Sequence, residues 1–294
     1  MSVTGAAAAA RYVDLHSHST ASDGALPPEG VIAAAVKAKL SAIALTDHDT
    51  LAGVPAAIAA APDGLRVIPG VELSLFDGDR EVHMLGLHIE KVAELEHELI
   101  GVRETRRTRA EEIVAKLNAL GVPVTIEAVF AEAGDGAVGR PHIAKAIIAG
   151  GWVRDQRQAF DQYLGGGKPA NVEKFKLSVA DGIRLIHDAG GIAVFAHPSY
   201  DGTRERVESL IAAGVDGLEV KHPGHSNEDT RRIQALADHF GLVVSGGSDW
   251  HGATNGPRVL GVMQVPHEWL ERQEARVAEW RSGRRTIGAP VPAA

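Results

Sequence analysis

An α/β barrel is the fold this sequence predicts, on three observations. Apolar runs bounded by Gly, Pro or Asp alternate with alanine-rich helical stretches, the pattern of a largely parallel sheet with helices outside it. His16, His48, Glu72, His197 and Asp249 each fall at or just past the C-terminal end of a different expected strand, where barrel folds gather functional side chains. Seven strands emerge, which implies a distorted seven-stranded (β/α)7 relative of the common eight-stranded barrel.

In chain order, strands are expected over 12–16, 42–45, 67–72, 82–87, 192–196, 217–220 and 242–245. Helices intervene over 28–39, 53–60, 179–189, 205–213 and 227–240. One link breaks the alternation. Between Glu72 and His83 a crossover helix has no room, and Asp77-Gly78-Asp79 reads as a turn, so these two strands form a hairpin. From about Val92 to Lys176 helix signals dominate. Residues 94–120 carry helical apolar spacing that closes at Gly121-Val122-Pro123, Pro141 opens another helix, and Gly150-Gly151 ends it. Gly165-Gly166-Gly167 reads as a hinge-like loop. The expected organisation is a discontinuous barrel over 11–91 and 177–265, a helical insertion over 92–176 capping the barrel mouth, and a C-terminal helix and loose tail over 266–294.

Composition narrows the functional classes. The absence of cysteine excludes disulfides, thiolate ligands and a cysteine nucleophile, and fits a reducing compartment. A net charge of −8 argues against binding long nucleic acid, yet leaves room for a small anion, because bound metal ions reverse local charge. The alanine-rich start, Met1 to Ala10, lacks the basic and apolar regions of a signal peptide, and no apolar stretch approaches the roughly 20 residues of a membrane span. The expected location is the cytoplasm.

The chemistry concentrates in Asp14-Leu15-His16-Ser17-His18, where period-2 alternation turns both imidazoles to one face. Nine residues form a candidate metal set: His16, His18, Asp23, His48, Glu72, His83, His197, Asp249 and His251. A single histidine at a strand end is as readily a hydrogen-bonded structural residue as a ligand, but five strand ends carrying such residues are poorly explained by chance. Imidazoles and carboxylates without thiolate suit Mn, Zn or Fe. Asp14 and Asp47 either orient imidazoles or simply bind backbone at strand ends. His222 and His225 follow the sixth strand and lie near the mouth; His225 is taken as a candidate substrate contact. In the insertion, Arg140 and His142 flank a helix start whose free N–H groups favour anions, which makes them candidate phosphate contacts, with Lys168 a weaker one. Arg103, Arg106, Arg107 and Arg109 are interleaved with Glu104, Glu111 and Glu112, and read as a solvated helix face with intrahelical ion pairs.

The motifs Asp14-Leu15-His16-Ser17-His18, Thr46-Asp47-His48-Asp49, Gly70-Val71-Glu72, Phe195-Ala196-His197-Pro198 and Gly247-Ser248-Asp249-Trp250-His251 resemble those of the PHP (polymerase and histidinol phosphatase) family. The resemblance spans the whole barrel. It implies a distorted seven-stranded barrel and two or three divalent ions, with Mn expected and Zn or Fe as alternatives. By position, one ion would take His16, His18, Glu72 and Asp249. A second would take Glu72, His83 and His197, and a third Asp23, His48 and His251. Glu72, His197 and Asp249 count as the catalytic members.

Ser22-Asp23-Gly24 and Gly139-Arg140-Pro141-His142 are similar to the branch that removes the 3′-phosphate of nucleoside 3′,5′-bisphosphates. That activity, through a metal-activated hydroxide, is the expectation. The alternatives are 5′→3′ exonuclease action on short RNA, histidinol phosphate hydrolysis, and a non-catalytic metal- or nucleotide-binding module. An intact ligand set argues against the last.

Overall fold

The computed structural model describes residues 11–133, 138–173 and 176–282. The alanine-rich start and the tail expected over 288–294 lie outside these residues. Eight strands form one sheet: β1 (Tyr12–Asp14), β2 (Ala42–Leu45), β3 (Arg66–Asp77), β4 (Arg80–Leu87), β5 (Ile192–Phe195), β6 (Gly217–Lys221), β7 (Val243–Gly246) and β8 (Val265–Pro266). Their order is β7-β6-β5-β4-β3-β2-β1-β8. Leu15 N–H donates to Gly246 O at 3.1 Å, and Ser17 bridges Trp250, so β1 and β7 nearly close the sheet into a barrel.

The expected count of seven is corrected to eight. The added strand, β8, is two residues long and pairs antiparallel with β1, too short to carry a period-2 signal. The hairpin is where it was expected. β3 pairs antiparallel with β4 from Gly70↔Leu87 to Asp77↔Arg80, and Gly78 supplies the left-handed φ of +59° that the two-residue turn needs. β3 runs five residues beyond the expected end at Glu72, because the hairpin arm projects past the barrel rim.

Helices α1 (Pro28–Lys37), α2 (Val54–Ala60), α7 (Val179–Asp188), α8 (Arg204–Ala212) and α9 (Asn227–Phe240) pack outside the barrel. Side chains alternate across each strand. Val13, Leu15, Ala42, Ala44, Leu85, Leu87, Ile192 and Val194 fill the interior, joined by Leu270 and Val277 from α10 (His267–Arg281). On the outer face, Ile43 and Leu45 meet Val31, Ile32 and Ala35 of α1.

Between β4 and α7 lie α3 (Val92–Ala119), α4 (Ile126–Ala133), α5 (Arg140–Ala149) and α6 (Gln156–Ala159), the last followed by a π-helical turn, Phe160–Leu164. These helices carry a separate core that includes Ile113, Leu117, Val129, Ile143, Ile147 and Leu164. α3 belongs to both cores: Leu95 and Leu99 pack with the barrel's outer residues, while Ala110, Ile113 and Leu117 pack in the insertion. One 28-residue helix therefore ties the insertion to the barrel. Among the described residues no helix is long and apolar enough to cross a membrane.

Candidate metal centre

Backbone hydrogen bonds continue the sheet beyond the strand ends and so place the ligand-bearing loops. Thr46 N–H donates to Ser17 O, Asp49 N–H to Glu72 O, Glu72 N–H to Asp47 O, Ala196 N–H to His83 O and His18 N–H to Trp250 O, all within 2.9–3.2 Å. Gly247 has to be a glycine here, since a Cβ would stand 2.5 Å from the His16 backbone nitrogen. These contacts bring all nine sequence-selected residues to one mouth.

Glu72 is the hub. It is 1% exposed, and five imidazoles converge on it. Its Oε1 lies 2.8 Å from His83 Nδ1 and 3.0 Å from His197 Nε2. Its Oε2 lies 3.2 Å from His16 Nε2, 3.3 Å from His18 Nε2 and 3.3 Å from His48 Nδ1. Asp249 Oδ1 stands 3.2 Å from His18 Nε2 and 3.5 Å from His16 Nε2, while Asp23 Oδ1 stands 3.2 Å from His251 Nε2.

Ligand-capable atoms gather in three groups: His16, His18, Glu72 and Asp249; His18, Asp23, His48 and His251; and His48, Glu72 and His83. The first matches the grouping drawn from sequence. The second adds His18, and the third has His48 where His197 was placed, although His197 reaches the same carboxylate. Divalent ions fit this donor set. Both ring nitrogens of His18 are buried without a hydrogen-bond partner, a costly state for an imidazole unless a ligand takes its lone pair.

The charges are interlocked. Burial and the neighbouring His18 and His83 push His48 down to about 3, leaving it neutral and ready to coordinate. Burial opposes charge on His83 and His251 too, yet Glu72 raises His83 to about 10 and Asp23 raises His251 to about 9. Burial likewise opposes charge on Glu72, but His48, His16 and His83 hold its carboxyl well below the usual range. Coordinating imidazoles must be deprotonated, so metal loading near neutral pH has to expel protons from His83 and His251. Titrating metal-free protein with Mn²⁺ at about pH 7 is expected to release protons, and apparent affinity is expected to rise from about pH 6 to about pH 9. Calorimetry in buffers of different ionisation enthalpy reads both; binding with no proton release would contradict this charge arrangement.

Residues beyond the nine sort clearly. Asp14 accepts from the backbone N–H of Ser248 at 2.9 Å and Gly261 at 2.8 Å, and Asp47 from Ser19 N–H, Ser19 Oγ and Ser22 Oγ at 2.7–2.8 Å. Both fasten loops and neither hydrogen-bonds an imidazole, so the backbone role holds. His225 is not placed as a substrate contact: its Nδ1 bonds Val220 O at 2.9 Å, and its Nε2 accepts from Ser199 N–H at 3.1 Å. His222 is buried, with Nε2 3.4 Å from Asp249 Oδ2. Lys168 is exposed and does not line the cavity above the metal cluster.

That cavity is lined by Asp23, His48 and His83 on the barrel side and by Arg106, Arg109, Arg140 and His142 on the insertion side. The solvated-face reading of the arginine run is therefore corrected. Among the described residues, only Arg107 of the four makes an exposed intrahelical pair, with Glu111, while the half-buried Arg103 pairs with Glu96 of the same helix. Arg106 is 14% exposed, pairs with Asp49, and donates to Ser74 Oγ at 3.1 Å. Arg109 donates to Val172 O at 2.8 Å, and Arg140 donates to Leu164 O at 3.2 Å with its guanidinium over the Phe160 ring. Among the described residues neither Arg109 nor Arg140 has a carboxylate within ion-pair distance. Burial and the nearby charge of Arg140 lower the pKa of Arg109. His142 Nδ1 accepts the Gly139 N–H at 3.1 Å, so the neutral ring carries its proton on Nε2.

Two residues were missed from the sequence. Glu219 in β6 is fully buried, with Oε1 3.0 Å from His16 Nδ1 and Oε2 accepting His197 N–H at 2.7 Å. A carboxylate inside the apolar run Gly217–Lys221 was the available signal. Arg258, on the loop after His251, contacts Asp249 Oδ2, and nothing in its sequence neighbourhood marks it.

A PHP-domain profile matches residues 14–155. The 3′,5′-nucleoside bisphosphate phosphatase of Chromobacterium violaceum is 39% identical over 257 residues, covering 85% of this chain and 90% of its own. The chain belongs to the PHP family. A 5′-3′ exoribonuclease of Haemophilus influenzae is also 39% identical, over 81% of this chain and 89% of its own. In three dimensions the PHP chain is similar to a candidate metal-dependent phosphoesterase from Bifidobacterium adolescentis, with a TM-score of 0.78 and 31% identity over 90% of this chain and 96% of that one. The protein is a hydrolase of the metal-dependent phosphoesterase class.

Proposed function

We propose that this hydrolase removes the 3′-phosphate from nucleoside 3′,5′-bisphosphates. The observation that carries the reading is the cationic wall facing the metal cluster. Arg109 and Arg140, with no carboxylate within ion-pair distance among the described residues, line the same cavity as His48 and His83. A substrate with two phosphates separated by a sugar suits two such anion sites: one phosphate at the cluster, the other gripped bidentately by guanidinium. The Chromobacterium relative supports the same assignment.

Divalent ions, Mn²⁺ first among them, would supply charge neutralisation on the phosphoryl oxygens and a water of lowered pKa. Glu72 would bridge two ions. His142 would donate from Nε2 to a phosphate oxygen as a neutral group. Arg109 and Arg140 would hold the non-reacting phosphate, so their binding energy serves orientation. A second reading, 5′→3′ exonuclease action on short RNA, is favoured by the Haemophilus relative, and the same two anion sites suit adjacent phosphates of an oligonucleotide.

The deciding experiment compares, with Mn²⁺, inorganic phosphate released from adenosine 3′,5′-bisphosphate against mononucleotide released from di- to pentanucleotides. The higher kcat/KM is expected on the bisphosphate. Faster mononucleotide release would install the second reading, and turnover of neither would remove both.

A further inference from the structure

We propose that Glu219 is a positioning residue that couples assembly of two metal subsites. The inference rests on the reading of His16 and His197 as ligands. Glu219 presents an acceptor oxygen to each of two groups. One oxygen faces His16 Nδ1 at 3.0 Å, and the other takes the His197 backbone N–H at 2.7 Å. A side chain that accepts on both of two divergent oxygens is a carboxylate; an amide would turn its NH₂ toward one of these donors.

The two contacts do different things. With Nδ1 of His16 donating to Glu219, the neutral ring presents its lone pair at Nε2, the atom beside Glu72 and Asp249. The carboxylate thus fixes which nitrogen can coordinate, and makes the ring more basic. The second contact holds the start of the loop after β5. His197 has φ +30° and Ser199 φ +42°, backbone that costs a non-glycine residue energy unless neighbours enforce it. His225, which accepts from Ser199 N–H, and Arg232, which donates to Ser199 O at 2.7 Å, pin the loop further along. Glu219 pins it at the ligand itself. His16 belongs to the group with His18 and Asp249, whereas His197 approaches the opposite oxygen of Glu72, alongside His83. One buried carboxylate therefore orders donors on both sides of the Glu72 bridge.

The test is Mn²⁺ binding to metal-free protein, measured without substrate, so its failure is distinguishable from failure of the bisphosphate reading. For Glu219→Gln the expected result is a loss of about 10- to 100-fold in affinity at both the subsite of His16 and the subsite of His197. At saturating Mn²⁺, kcat is expected to recover most of its wild-type value with KM unchanged, which a residue touching substrate would not permit. Where Glu219→Gln fails to fold, Glu219→Asp keeps the charge, withdraws the oxygens by one methylene, and is expected to weaken Mn²⁺ binding in the same direction. Unchanged Mn²⁺ affinity in a folded variant overturns the proposal, as does weakening confined to one site. Wild-type protein that binds no divalent ion overturns the ligand assignment beneath it.

Discussion

Glu72→Gln is expected to lower kcat by a factor of about 10³ or more, because on the proposed reading Glu72 would hold two ions whose charge would stabilise the transition state. The geometry explains why the effect should exceed that of any single histidine. Both carboxylate oxygens are in use, one toward His83 and His197, the other toward His16, His18 and His48. Glutamine preserves the volume but places an NH₂ against one of those sets, where a metal ion or an imidazole N–H requires the opposite polarity. His48→Gln, by comparison, removes one donor and leaves the bridge intact, so a smaller loss is expected. Elemental analysis belongs beside the kinetics. If Glu72→Gln kept tenths of wild-type turnover with full metal content, the bridging assignment would be wrong.

The barrel residues were legible in the sequence because their placement depends on backbone alone. A strand that runs toward the mouth delivers whatever follows its C-terminal end there, so His16, His48, His197 and Asp249 needed only the strand pattern to be grouped. Glu72 and His83 needed the hairpin, which the short link and Asp77-Gly78-Asp79 also gave away. Side-chain direction was harder. Glu219 looked like one polar position in a strand, and nothing local says that one of its partners, His16, lies some 200 residues earlier in the chain. The arginines of α3 were misjudged for a related reason. Alternating Arg and Glu describe an exposed helix face when a helix packs on one core. α3 packs on two, and where it passes from one to the other Arg106 and Arg109 turn over the cavity. The grouping of His18 with Asp23, His48 and His251 is likewise a matter of ring orientation, which spacing does not encode.

Arg140→Ala tests the substrate without touching the metals. The residue opens α5 in the insertion, donates to Leu164 O, and has no carboxylate partner among the described residues, so its loss should leave metal content unchanged. If it holds the non-reacting phosphate, kcat/KM on adenosine 3′,5′-bisphosphate should fall by roughly 2–4 kcal/mol, about 30- to 1000-fold. On p-nitrophenyl phosphate, which has no second phosphate, the loss should be far smaller. Arg109→Ala should show the same contrast, because it faces the same cavity. Arg107→Ala, whose partner is the exposed Glu111, should change neither substrate. The comparison separates three roles. Equal losses on both substrates would put Arg140 at the reacting phosphate or in the fold of the insertion. A loss on short RNA larger than that on the bisphosphate would favour the exonuclease reading. No loss on any substrate would return Arg140 to the surface of α5, and the cationic wall would no longer support two phosphates in one substrate.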